Sequence, residues 1–189
     1  MPLKKVEPEK FYVHPTPHVP NSKLPILVYR DVLQDTSPET ILSTIEPNGW
    51  LKGGQFKTYP VPHFHCLAHE CYGIIKGSST YLLGKSPLDP ETDEHGKSNG
   101  IILHVKVGDV FVLPAGVSHC SIESAGDYEF IGLYPEAPLI GEHRYDMNWG
   151  KDPPEETPKL AEKAATTPIP ELDPLYGLGG PLPKLWNEA

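Results

Sequence analysis

His63-Phe64-His65-Cys66-Leu67-Ala68-His69-Glu70 is followed six residues later by Gly77, and this stretch decides how the chain is read. Its partner comes further on: Gly108, five residues, Pro114-Ala115-Gly116, two residues, His119. In a strand, side chains two apart share a face, so His63 and His65 point together while Phe64 and Cys66 point away. Glu70 begins the next strand in phase with Tyr72, and Gly77 ends that strand in a turn. Gly108-Asp109 is a turn, Val110–Leu113 a strand, and Pro114-Ala115-Gly116 returns the chain to His119. Three imidazoles and one carboxylate then meet in one site. Neutral imidazole with carboxylate suits one divalent transition metal per chain: Fe, Mn, Ni or Zn. On an octahedral ion this set leaves positions open for water, dioxygen or a bidentate substrate. Lewis-acid, water-activating or templating chemistry could follow.

The surrounding texture is β. From 56 to 135, short apolar runs alternate with glycine and proline, and candidate strands are 56–65, 70–76, 79–83, 101–107, 110–113, 118–122 and 128–134. Such runs without intervening helices predict an antiparallel sandwich or barrel. Lys85–Gly100 is polar and reads as a long surface loop. The chain divides into three parts: an N-terminal arm, edge strand and short helix (1–55), a barrel core (56–135), and a C-terminal helix with an extended arm packed on the barrel or a dimer partner (136–189). In the first part, Leu24–Tyr29 reads as an edge strand because of Pro25. Ser37-Pro38-Glu39 starts a helix that Asn48-Gly49 stops. In the last, Thr157-Pro158 opens a second helix over Lys159–Ala165.

Composition narrows the function. The 23 prolines among 189 residues demand extended arms and loops. A formal charge of −9 disfavours nucleic acid and anionic membrane as partners. No segment reaches the apolar length of a membrane span, and the N-terminus lacks a signal-peptide pattern. Three cysteines make a poor disulfide framework, and the expected location is cytoplasmic.

The two motifs resemble those of the cupin superfamily. That resemblance implies a double-stranded β-helix (a jelly-roll, RmlC-like barrel), to which the sequence adds one or two short peripheral helices, and the metal ligands His63, His65, Glu70 and His119. Two positions depart from the family pattern: Lys57 stands where the early glycine belongs, and Glu123 where the final asparagine belongs. Neither is a ligand position. Leu24–Arg30, Asn48-Gly49-Trp50, His69-Glu70, Leu113–His119, Asp173–Gly177, Gly180-Pro181-Leu182 and Leu185-Trp186 further resemble the YjlB-type cupins across nearly the whole chain. That subgroup has no settled reaction, and fold alone assigns none.

The resulting expectation is a metal-dependent enzyme acting on a small polar or anionic molecule. Iron would make it oxygenase-like; zinc, nickel or manganese would make it an isomerase or lyase. The alternative is a non-catalytic binding or sensing protein with a structural metal. Glu70, Tyr72 and His69 are the candidate catalytic residues, with His69 also able to replace Glu70 as a ligand. Tyr59, Phe111 and Ser121 are candidate pocket residues. Cys66, Cys71 and Cys120 read as small buried hydrophobes. A homodimer is the expected assembly.

Overall fold

The structure, a computed structural model, describes residues 3–189. Two long strands organise it: β4 (Glu70–Leu83) and β7 (His119–Pro135). They pair antiparallel from Leu83↔His119 to Cys71↔Leu133. The sequence alone predicts each of them as two strands, 70–76 and 79–83 broken at Gly77, and 118–122 and 128–134 broken over the intervening residues. These breaks are bends inside continuous strands. Residues 126–128 of β7 stand opposite the single Gly77, which gives the bulge that lets the ladder fold over. Gly77 has φ +66°, and a Cβ there would lie 2.3 Å from the Ala125 carbonyl oxygen, so only glycine fits.

The bend divides the sheet into two facing layers. The first half of β4 pairs with β6 (Val110–Leu113), which is followed by β2 (Ile26–Tyr29) and then β1 (Glu9–Phe11). The second half pairs with β5 (Ile101–Lys106), and the end of β7 pairs with β3 (Trp50–Phe56). All these pairings are antiparallel, and the architecture is the double-stranded β-helix. Between the layers lie Tyr72, Ile74, Tyr81, Leu83, Leu103, Phe111, Tyr128 and Phe130. The alternate residues Cys71, Val112 and Leu133 face outward into a second core.

That outer core is made by the arms. α1 (Pro38–Ile45) buries Ile41 and Ile45, and its N-cap Ser37 Oγ accepts from the Thr40 amide. A short 3₁₀ turn follows and stops at Gly49 in the left-handed conformation. α2 (Thr157–Ala165) lies further along, and α3 (Pro181–Asn187) adds a third helix. In α3, Leu182 and Trp186, four residues apart, are buried together, and the Trp186 indole N–H donates to the Pro25 carbonyl.

Two local expectations are corrected. The strand at 24–29 is not an edge: Ile26–Tyr29 is fully buried between β1 and β6. Pro25 sits just before the first laddered residue, so its missing N–H costs the ladder nothing, and the N-terminal arm covers the edge. The strand expected over 56–65 ends at Phe56. Residues 57–62, with Pro60 and Pro62, are irregular. Among the described residues, no helix is long and apolar enough to cross a membrane.

Candidate metal centre

His63 and His119 are cross-strand neighbours in an isolated antiparallel bridge, with the His119 amide donating to the His63 carbonyl at 2.9 Å. Their rings lie 4.3 Å apart. The Pro114-Ala115-Gly116 loop brings His119 there. Gly116 has φ +91°, and its amide donates to the His65 carbonyl at 2.7 Å, so the loop ties the two motifs together. A Cβ at Gly116 would lie 2.7 Å from the Asn21 carbonyl oxygen, which explains the glycine. Glu70 opens β4 on the inner face. One donor atom from each of His63, His65, Glu70 and His119 falls within 4.8 Å of all the others, and all four residues are buried.

Each imidazole is oriented through Nδ1. His63 Nδ1 lies 2.9 Å from the Val61 carbonyl, His65 Nδ1 2.6 Å from that of Asp146, and His119 Nδ1 3.0 Å from that of Val117. A carbonyl only accepts, so Nδ1 carries the proton and Nε2 is left as a lone pair. Glu70 Oε1 accepts from the Tyr134 hydroxyl at 2.6 Å, leaving Oε2 free. Oε2 stands 3.3 Å from His65 Nε2 and 3.1 Å from His119 Nε2. These three atoms are buried and lack a hydrogen bond. Acceptors converging without a donor repel one another, and a cation at their centre is what relieves this. The cluster is therefore a buried three-histidine, one-glutamate arrangement with the donor chemistry of a metal site.

The ionisation of the group agrees with that. Burial, reinforced by His119, pushes the His63 pKa down to about 3. For Glu70 burial works in the opposite sense, but the nearness of the His119 and His65 rings to Oε2 outweighs it and holds the carboxyl well below its ordinary range. Burial likewise opposes protonation of His65, yet Glu70 raises its pKa above the usual value. The centre favours positive charge beside Glu70 without favouring three imidazolium ions.

A cavity of about 180 Å³ opens beside these residues, lined by Phe56, Tyr59, His63, His65, Glu70, Tyr72, Phe130, Tyr134, Tyr145 and Met147. Tyr72 stacks on Phe130 at 4.3 Å, and burial drives its pKa well above 10.0, so it is a proton donor and not a base. Tyr59 meets the His63 ring edge-on at 4.8 Å. Phe111 and Ser121 are absent from the lining. Phe111 packs against Tyr72 and Tyr81 in the barrel interior, and Ser121 Oγ is buried without a partner.

His69 is the main correction among the candidates. Alternation turns it to the opposite face from Glu70. Its Nδ1 accepts from the Ala115 amide at 2.9 Å, its Nε2 lies 3.2 Å from the Pro168 carbonyl, and its ring lies on Trp186. It neither lines the cavity nor belongs to the ligand cluster. Cys66, Cys71 and Cys120 are free thiols, all buried. Burial pushes Cys66 up to about 12 and raises the other two.

Sequence reasoning missed Tyr134, Tyr145, Met147 and Asp146. Tyr134 was findable: Tyr128, Phe130 and Tyr134 share one face of an alternating strand. The loop residues carry no periodic signal. Asn148 pairs with Phe64 as a bridge, which lays the loop alongside the histidine segment. The Asp146 carboxylate accepts from the Cys66 and Leu67 amides at 2.9 and 2.8 Å, and from Lys163 of α2 at 2.9 Å. Its carbonyl then meets His65.

A comparison with curated proteins finds YjlB of Bacillus subtilis, an uncharacterised protein, 27% identical over 182 residues, covering 95% of this chain and 97% of YjlB. The chain is a homologue of YjlB over nearly its whole length. No family model matches. Among solved structures, RmlC from Streptococcus suis aligns over 76% of this chain and 77% of its own, with 10% identity and a TM-score of 0.39. L-ribose isomerase from Cellulomonas parahominis aligns over 71% and 72%, with 14% identity and a TM-score of 0.38. Procruciferin, an 11S globulin from Brassica napus, aligns over 51% of this chain and 21% of its own, with 13% identity and a TM-score of 0.35.

Proposed function

We propose that this YjlB homologue is a cupin-type, metal-dependent enzyme acting on a small molecule bound beside His63, His65, Glu70 and His119. The observation that carries the reading is the convergence of three buried, unpartnered acceptor atoms, His65 Nε2, Glu70 Oε2 and His119 Nε2. A divalent ion there would supply a Lewis acid, and iron would add access to dioxygen, separating oxygenase from isomerase or lyase chemistry. The chain's own residues do the rest. The three backbone carbonyls keep the imidazoles in one tautomer, Tyr134 restrains Glu70, the aromatic walls exclude water, and Tyr72 can donate a phenolic proton.

A binding or sensing role without turnover is the second reading. It is favoured by the lining itself: apart from the candidate ligands, its titratable groups are tyrosines, and burial raises Tyr72, Tyr134 and Tyr145, which leaves no independent base near neutrality. Assembly as a homodimer in a reducing intracellular compartment fits either reading; the three unpaired, buried thiols are in keeping with the compartment.

Elemental analysis of untagged protein beside the His63→Ala variant tests the site. Near-stoichiometric metal that is lost in the variant supports it, and the metal found selects the assay. Oxygen uptake follows iron, whereas isomerase and lyase panels follow zinc, nickel or manganese. A variant that keeps its full metal content sinks the site assignment. A loaded protein that binds ligands from those panels without turnover moves the sensing role to first place.

A further inference from the structure

Six of the cavity's ten lining residues are aromatic beyond the histidines: Phe56, Tyr59, Tyr72, Phe130, Tyr134 and Tyr145. Among the described residues the lining holds neither Lys nor Arg, and its one carboxylate is Glu70. The Asp146 carboxylate is turned away, toward the Cys66 and Leu67 amides and Lys163. Three neutral imidazoles, one carboxylate and a divalent ion sum to one positive charge. In an apolar cavity with no other cation, a singly charged anion neutralises that centre. A doubly charged anion leaves a buried net negative charge with nothing to pair it. The volume, about 180 Å³, lies below the roughly 300–1,000 Å³ of pockets for drug-sized ligands. The wall continues outward as apolar surface: Phe56 and Met147 are each 39% exposed, and the half-exposed Trp149 lies 6.1 Å from the His63 ring.

We infer that the pocket takes a flat, monoanionic oxygen chelator with an unsaturated or aromatic body, of the enolised-dicarbonyl or hydroxamate type, and discriminates against phosphorylated and dicarboxylate molecules. This rests on the site holding a divalent ion. The chelating head meets the ligand cluster, and the flat body lies between the aromatic walls toward Phe56 and Met147, where its burial adds affinity.

The test uses the full chain loaded with zinc, which is redox-silent. Calorimetric titrations compare benzohydroxamate, acetohydroxamate and oxalate, with zinc content measured in each sample. Benzohydroxamate and acetohydroxamate share a head and differ by a ring. The expected order is benzohydroxamate tightest, by about tenfold over acetohydroxamate, with oxalate weakest. The Phe56→Ala/Met147→Ala double variant should keep its zinc and lose that gap, since both residues are partly exposed and neither is a ligand. Oxalate binding more tightly than benzohydroxamate, or a gap unchanged in the double variant, overturns the inference while the metal site stands. A chain that takes up no zinc overturns the metal reading and this inference with it.

Discussion

At the scale of single residues, the hydrogen bond from Tyr134 to Glu70 Oε1 presents only Oε2 to the centre. Tyr134→Phe removes that restraint and frees the carboxylate to rotate. Groups holding a metal ligand in place are worth about 10- to 100-fold in metal affinity. Competition with a chelator should therefore show weaker binding by about tenfold, with stoichiometry unchanged; equal affinity would mean the bond is incidental.

His69 gives a pH signature at the same scale. Its Nδ1 accepts the Ala115 amide, so protonation would set two donors face to face, and burial holds its pKa down at about 4 against an ordinary 6.5. The unfolded chain thus takes up this proton before the folded one does. The full stability is present above pH 6.5 and is lost as pH falls toward 4. A depression of that size corresponds to roughly 3 kcal/mol at most. Urea unfolding of metal-free protein across that window should show the decline. His69→Asn, which keeps an acceptor near the Nδ1 position without titrating, should show a shallower one; parallel slopes would remove His69 as the cause.

At the scale of elements, the bend in β4 and β7 is what turns a flat ladder into two layers. Gly77 sits at the hinge with φ +66° and no room for a Cβ beside the Ala125 carbonyl. Gly77→Ala should therefore destabilise the fold by about 2 kcal/mol or more, read from chemical denaturation. Gly96→Ala, also at positive φ but with nothing within 4 Å, is the control and should cost less. The alternation that made β4 legible also reversed one expectation. Glu70 and Tyr72 face inward, as their phase demands, and the same rule sends His69 out to Trp186. The arms behave as elements too: β1 covers the edge of β2, and α3 closes the outer core over Cys71 and Leu133.

At the scale of the whole molecule, the ligand cluster is held by distant segments. His63 and His65 come from an irregular stretch, Glu70 from β4, His119 from β7, and the carbonyl that orients His65 from the loop at Asp146. A metal that binds this folded constellation and not the unfolded chain stabilises it by mass action, about 4 kcal/mol at a thousandfold excess over Kd. Chelation should accordingly lower Tm by several degrees in calorimetry. The His63→Ala/His119→Ala double variant should melt at a temperature that chelator does not change. A native Tm indifferent to both chelator and added metal would argue against a metal bound at this cluster.

The sequence by itself determined the antiparallel β class, the four candidate ligands and the inward face of Glu70 and Tyr72, because a period of two and a few glycines and prolines act locally. It determined α1 for the same reason, through the Ser37 cap and Gly49. Only the tertiary structure decided that two apparent breaks between strands are bends within continuous ones, since a bulge is defined by what lies across the ladder. Only it decided that Tyr134, Tyr145, Met147 and Asp146 complete the site. The last three sit on an irregular loop whose place is set by a bridge to Phe64 and by bonds to residues some eighty positions away, an interaction no local pattern encodes.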